Sequence, residues 1–307
     1  MQRLAIDHAN TSGETADMDQ STVNQGSAAQ ALIGREMRVA YGTVGNTIDG
    51  LQLGLDSWLI RGDEFLLHME NLSMRYRKGE GVTIERRAGA RDSEEALFLN
   101  GSVYAAVACI NGFYPMHASA VAHDGGVHAF TGPTGAGKST LVTALGGMGL
   151  PMFCDDTLIL DLSDPQVPLA LPGHKRLKLT ADALALTGAA AEEPVDELVD
   201  KFYALPPAGD CCEPLPLRQL VFLEEGPELV ASAIAGAEKV ARLSDEHHVF
   251  DIHQHATGMD PAERFALQGR LARQITMARL ARPRDRARFG ESVALACNLV
   301  CSVKPAA

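Results

Sequence analysis

The stretch Gly132-Pro133-Thr134-Gly135-Ala136-Gly137-Lys138-Ser139 constrains this chain more than any other, because it meets the pattern G-x-x-x-x-G-K-[ST] at every fixed position. It follows an apolar run, Val127-His128-Ala129-Phe130-Thr131, that reads as a strand. It opens Ser139-Thr140-Leu141-Val142-Thr143-Ala144-Leu145, which reads as a helix. In that setting the glycines let backbone N–H groups converge on a polyphosphate, and the helix N-terminus adds unpaired donors and the positive end of its dipole. Lys138 is then expected over the outer phosphates, and Ser139 is expected to offer its hydroxyl to Mg²⁺. Residues 132–140, Thr140 included, form the expected nucleotide cradle.

Two neighbouring stretches narrow the chemistry. Downstream, Leu150-Pro151-Met152-Phe153-Cys154 reads as a buried strand that finishes at Asp155-Asp156, and Thr157-Leu158-Ile159-Leu160-Asp161-Leu162 reads as another. A carboxylate at the end of an apolar strand beside a phosphate loop is placed for Mg²⁺ ligation or proton abstraction. Upstream, the turn Asp124-Gly125-Gly126 joins two apolar runs as a hairpin. That hairpin pairs the strand carrying His117 and Ser119 with the strand that ends at Gly132, so His117 is expected close to the loop.

Composition excludes other classes. A chain of 307 residues with 46% hydrophobic and 21% charged residues has the balance of a soluble globular protein of one or two domains. The net charge of −12 argues against a nucleic-acid binder, whose affinity rests on a basic surface; the basic cluster 279–288 is short and local. No apolar run of about eighteen residues occurs to span a membrane, and the N-terminus lacks the apolar core of a signal peptide. A cytoplasmic location is expected. The six cysteines include no C-x-x-C pair; Cys109 and Cys154 sit in apolar runs, and Cys211-Cys212 is the pair to watch for redox chemistry.

Three segments are expected. Residues 1–30, polar and without period, read as a disordered leader. Residues 31–100 alternate in short runs broken by Gly, Asp and Asn, and read as a β-rich part with turns at Gly62-Asp63 and Lys78-Gly79-Glu80-Gly81. Residues 101–307 read as the catalytic domain. Within and around it, 96–112 reads as a buried helix ended by Gly112, 180–187 as a capped helix, 189–197 as an acidic loop, 215–223 as a strand and 260–279 as an amphipathic helix. His247, His248, His253 and His255 read as a solvated or locally paired loop in preference to a metal site.

His117-Ala118-Ser119-Ala120-Val121, Gly132 to Thr140 and Cys154-Asp155-Asp156 together resemble the catalytic domain of the HPr serine kinase/phosphorylase family, with twenty-one residues from His117 to Lys138 and eighteen from Lys138 to Asp156. The resemblance implies an α/β (α+β) P-loop kinase fold shared with phosphoenolpyruvate carboxykinase, a mixed sheet with flanking helices behind the β-rich N-terminal part. It implies ATP and Mg²⁺. It makes Asp156 the proton acceptor from a substrate serine, Lys138 the holder of the β- and γ-phosphates, Ser139 a Mg²⁺ ligand and His117 an aid at the transferred group. Asp155 supports Mg²⁺ or orients Asp156.

The family's Glu-bearing, Gly-rich segment has no match, and the region reads Pro172-Gly173-His174-Lys175-Arg176-Leu177-Lys178-Leu179. That basic segment is similar to divergent HPr-kinase-like proteins, including those that phosphorylate a C-terminal serine on lasso-peptide precursors. Arg176 and Lys201 are the candidates for holding phosphate or acceptor charge. The expected partner is a peptide or small protein with an acceptor serine, without nucleic acid or membrane, and a homo-oligomer is left open. HPr(Ser) kinase proper, a small-molecule kinase and a non-catalytic ATP-dependent scaffold remain alternatives.

Overall fold

The computed structural model describes residues 20–173, 176–196, 199–244 and 248–303. It opens on helix α1 (Gln20–Glu36), so residues 20–30 of the expected leader belong to the fold. Ala29 and Ile33, one turn apart, join a core that includes Phe65, Met74, Tyr76 and Val107. Glu36 at the helix end accepts hydrogen bonds from Tyr76 Oη (2.7 Å) and the Gly79 amide (2.7 Å). Residues 1–19 lie outside the described residues.

The expected β-rich part follows as β1 (Val39–Tyr41), a short ribbon β2 (Thr47–Ile48) and β3 (Leu51–Gln52), then β4 (Ser57–Arg61), β5 (Glu64–His68), β6 (Leu72–Arg77) and β7 (Gly81–Arg86). Its sheet runs β1-β7-β6-β5-β4. Gly62, with φ of +55°, turns the chain between the paired residues Arg61 and Glu64. Along β5, Phe65 and Leu67 enter the main core while Leu66 faces Ile48 and Val44, as strand alternation requires.

The expected helix over 96–112 begins earlier and is not uniform. It runs as α2 (Asp92–Phe98), a π-helical turn Leu99–Val103, and α3 (Tyr104–Ile110), ending at Gly112 with φ of +87°. Residues 105–110 are all buried, so α3 is enclosed on every side.

The central sheet carries the loop. Strands β8 (Tyr114–His123) and β9 (Gly126–Thr131) form the expected hairpin, in register Ala118 with Thr131. After α4 (Lys138–Gly147), β10 (Met152–Cys154) and β11 (Thr157–Asp161) run one after the other along the far edge of β8. Then come β12 (Leu169–Leu171), β13 (Leu177–Leu179), α5 (Ala181–Thr187), β14 (Ala191–Asp196), β15 (Val199–Ala204), β16 (Leu215–Glu225), β17 (Val230–Ala233), α6 (Ala237–Leu243), α7 (His248–Thr257), α8 (Pro261–Gln274), β18 (Thr276–Arg282) and α9 (Phe289–Cys301). Strand β9 lies between antiparallel β8 and parallel β16, which in turn pairs in parallel with β18. The result is a mixed α+β architecture.

Three expectations are corrected. The stretch read as an acidic loop forms β14, an edge strand of the small sheet β13-β15-β14, where Pro194 is tolerated because one side of the strand is unpaired. The long amphipathic helix keeps its capping box at Asp260 and Glu263 but stops at Gln274; the following residues pair with β16 instead, burying Met277 and Leu280. The His-rich loop is α7: His253 packs edge-on against Tyr114 and His255 against Trp58, and His247 lies outside the described residues. Among the described residues no three His, Cys, Asp or Glu side chains group as a metal site, and no helix is long and apolar enough to cross a membrane.

Two buried imidazoles make the fold acid-sensitive. Burial lowers the pKa of His128, whose Nδ1 lies 3.2 Å from Gln219 Oε1, to about 4, and burial does the same to His253. The folded form holds both rings neutral, so below pH 6.5 the unfolded chain binds the extra protons. Their contribution is intact above that pH and falls as the pH drops toward 4, by about 3 kcal/mol per ring at most. Urea melts at pH 7 and pH 5 are expected to show this loss, and His128→Gln is expected to flatten the difference.

Candidate active site

The site is built on a break in the antiparallel ladder. Along β8, His117 pairs with Thr157 and Ala120 with Cys154, which leaves Asp155 and Asp156 between the two paired segments, opposite Ala118 and Ser119. Asp156 adopts a left-handed φ of 70°, a conformation that Asp tolerates better than most residues. This kink turns the two carboxylates to different tasks.

Asp155 is 4% exposed and fully engaged. Its Oδ1 accepts from Ser119 Oγ (2.6 Å) and Ser139 Oγ (2.8 Å), and its Oδ2 accepts from the Lys178 amide (3.3 Å). Asp156 faces solvent more, with a side chain 42% exposed. His117 Nδ1 stands 3.0 Å from its carbonyl and 3.5 Å from its Oδ1, and Lys178 Nζ stands 3.7 Å from Oδ2.

The loop between β9 and α4 has the backbone that the sequence requires. Gly132 (φ +144°), Gly135 (φ +83°) and Gly137 (φ +82°) take conformations that L side chains avoid, and a Cβ on Gly132 would stand 2.7 Å from the Leu223 carbonyl oxygen. Lys138 is 7% exposed and donates to the Gly132 (2.9 Å) and Pro133 (3.3 Å) carbonyls. Burial lowers its pKa, the carboxylates of Asp156 and Asp155 oppose that shift, and the charge of Lys201 on β15 adds to it.

The predicted residues therefore divide. His117, Lys138, Ser139, Asp155 and Asp156 come together, and Lys201 lies within electrostatic reach of Lys138. Pro133, Gly135, Ala136, Gly137 and Thr140 line a cleft of about 420 Å³ on one side of the loop; Thr134 faces a separate cavity of about 260 Å³ on the other. Arg176 lies over the Tyr203 ring at 3.9 Å and pairs with Glu192 and Glu193 at 3.3 and 2.8 Å, within the small sheet.

Three further residues join the site in ways the sequence did not show. Lys178 is two residues beyond Arg176; it lies within β13 and meets Asp156, whereas Arg176 precedes the strand and meets Glu192 and Glu193. Ser119 is visible only as part of a strand. Arg282, at the end of β18, donates from Nη2 to the Ala136 carbonyl (2.6 Å), and with Arg284 and Arg286 it lines the larger cleft. Adjacent basic residues in sequence carried no signal for this, because parallel pairing to β16 is what delivers them to the loop. Arg282→Ala is expected to leave the Ala136 carbonyl without this donor, at about 1–3 kcal/mol, and to weaken nucleotide binding about tenfold, as isothermal titration would read.

The donor set suits Mg²⁺. Hard oxygens from Ser139 and Asp155 already converge within hydrogen-bond distance at the N-terminus of α4, and Mg²⁺ characteristically takes one or two such protein ligands beside phosphate oxygens and water. The same atoms would hold the ion.

No family model matches the chain, and no curated protein matches it. Among solved structures it is similar to the Hpr(Ser) kinase/phosphatase from Coxiella burnetii, at a TM-score of 0.31 and 12% identity, over 61% of this chain and 97% of that one.

Proposed function

We propose that the protein is an ATP-dependent phosphotransferase that delivers the γ-phosphoryl group of ATP to a serine hydroxyl of a peptide or small protein. The observation that carries this reading is the position of Asp156, a half-exposed carboxylate held between His117 and Lys178 at the mouth of a phosphate loop. A phosphate loop alone fits any nucleotide hydrolase or switch; a carboxylate poised beyond it is the group that a hydroxyl acceptor needs.

In this reading the larger cleft takes the nucleotide, its volume lying within the range of small-molecule sites. The β- and γ-phosphates replace the two loop carbonyls as partners of Lys138, and the amides of Gly135, Gly137 and Lys138 face the anion. Ser139 and Asp155 would hold Mg²⁺, which would supply charge neutralisation. Asp156 takes the proton from the acceptor Oγ–H as the new Oγ–P bond forms; the bond from the γ-phosphorus to the bridging oxygen breaks, and ADP leaves with its electron pair. His117 and Lys178 hold Asp156 and face the developing negative charge.

Resemblance of the His117, Gly132–Ser139 and Asp155-Asp156 motifs to the HPr serine kinase family, and of the basic 172–179 segment to its peptide-modifying branch, supports a ribosomal peptide precursor as acceptor, a lasso-type C-terminal serine being the form that this branch implies. The test is γ-labelled ATP with Mg²⁺ and a set of serine peptides. Labelled phosphoserine, abolished by EDTA, is the expected result. Nucleotide binding without transfer to any hydroxyl acceptor would overturn the proposal.

A further inference from the structure

The second cavity adjoins the catalytic groups and shares no lining residue with the nucleotide cleft. Its floor is His117, Asp156, Thr157 and the loop residue Thr134. Its walls come from segments outside the phosphate loop: Leu97 and Phe98 on α2, Gly101 and Ser102 on the π-helical turn, Ala105 on α3 and Ile252 on α7. A π-helical turn is uncommon and recurs at functional sites; here it sets Gly101 against the cavity.

We infer that this cavity is the acceptor subsite, and that it selects a neutral, apolar-flanked serine inside a peptide over a charged small molecule or a serine that bears a free C-terminal carboxylate. The inference rests on the phosphotransferase reading and goes further by fixing the chemistry of the acceptor. Three properties carry it. The cavity touches both Asp156 and Thr134, so a hydroxyl seated there lies between the carboxylate and the phosphate loop. Its volume of about 260 Å³ is below the roughly 300–1,000 Å³ of sites for whole small-molecule ligands, and suits one side chain with part of a neighbour.

The third property is charge. Asp156 and His117 are the titratable groups among the lining residues, and no lysine or arginine joins them. Free serine brings a carboxylate beside the anion of Asp156, where the neighbouring cation, Lys178, stands 3.7 Å from Asp156 Oδ2 and outside the lining; burying the carboxylate so is costly. A sugar brings several hydroxyls, of which Ser102, Thr134 and Thr157 can meet only some while Leu97, Phe98, Ala105 and Ile252 meet none. A peptide serine brings one hydroxyl and, next to it, apolar surface for those walls.

Gly101 makes the cavity testable. A Cβ at Gly101 would meet nothing within 4 Å and its φ is not in the left-handed region, so Gly101→Leu enters open space without backbone strain. Transfer from γ-labelled ATP would be compared for three acceptors: N-acetylated, C-amidated Leu-Ser-Leu, the matching Asp-Ser-Asp peptide and free L-serine. The wild type is expected to favour the Leu-flanked peptide at least tenfold in kcat/KM. Gly101→Leu is expected to lose that preference through a raised peptide KM, with a thermal midpoint close to the wild type's.

Leu97→Lys, which adds a cation to the wall, is expected to shift preference toward the Asp-flanked peptide, a change that simple unfolding would not give. Equal use of all three acceptors by the wild type, or undiminished transfer to the Leu-flanked peptide by Gly101→Leu, overturns the acceptor assignment. Wild-type protein that turns over ATP but phosphorylates only free serine overturns it as well while leaving the phosphotransferase reading intact. Wild-type protein that binds no ATP removes both.

Discussion

Replacing Asp156 by Asn lowers phosphoryl transfer by about 10²–10⁴-fold, the range that loss of a general base produces, and the loss falls on kcat and not on KM for ATP. Asn keeps the size of the side chain and accepts the left-handed backbone that residue 156 adopts. What it removes is the ability to take a proton. A serine hydroxyl is a weak nucleophile at neutral pH, and the adjacent carboxylate does not replace Asp156: Asp155 is buried with both oxygens committed to Ser119, Ser139 and the Lys178 amide. Single-turnover transfer from γ-labelled ATP measures the effect. An Asp156→Asn protein that transfers at the wild-type rate would exclude Asp156 as the base.

Replacing Asp155 by Asn is expected to damage the fold as well as the reaction. The buried carboxylate accepts three hydrogen bonds. An amide in its place either turns its NH₂ toward the Lys178 amide, setting donor against donor, or turns it toward two serine hydroxyls that have lost their acceptor. The expected cost is about 3 kcal/mol, seen as a fall of several degrees in Tm, together with a higher Mg²⁺ requirement for transfer. Ser119→Ala separates the two effects, since it removes one donor to Asp155 Oδ1 while leaving both atoms assigned to Mg²⁺, Ser139 Oγ and Asp155 Oδ1, in place. A smaller fall in Tm with an unchanged Mg²⁺ requirement is the expected result, read by thermal melts and Mg²⁺ titration.

The parts of the site that were legible in sequence are those fixed by local rules. The loop has glycines because its backbone takes positive φ, and the Asp124-Gly125 turn announces a hairpin whose register then places His117 without further information. Asp155-Asp156 was legible as the end of an apolar run. The rest depends on contacts between distant segments. Arg282 reaches the loop only because β18 pairs in parallel with β16, and residues 275–279 read as helix until that pairing is known. Ile252 reaches the second cavity on a helix whose sequence, rich in His and flanked by acids, carries a weak apolar signal. Residues 20–30 read as polar leader because Ala29 and Ile33 bury one narrow stripe on an otherwise polar helix. Lys178 and Arg176 are chemically alike in sequence and two residues apart, a spacing that alternation would put on one face; Arg176 lies ahead of β13 and meets Glu192 and Glu193, while Lys178 within the strand meets Asp156.

The break in the ladder beside β8 has a consequence for how such a protein can change. His117 on β8, Lys138 at the start of α4 and Asp156 between β10 and β11 all lie within forty consecutive residues, so the spacing of the reacting groups is set by short connections and one register. The walls of the second cavity come from α2, the π-helical turn and α7, which that register does not involve. Chemistry and choice of acceptor are thus written in separate stretches of chain, and substitutions can accumulate around the acceptor while the distance from carboxylate to phosphate loop stays where the hairpin put it.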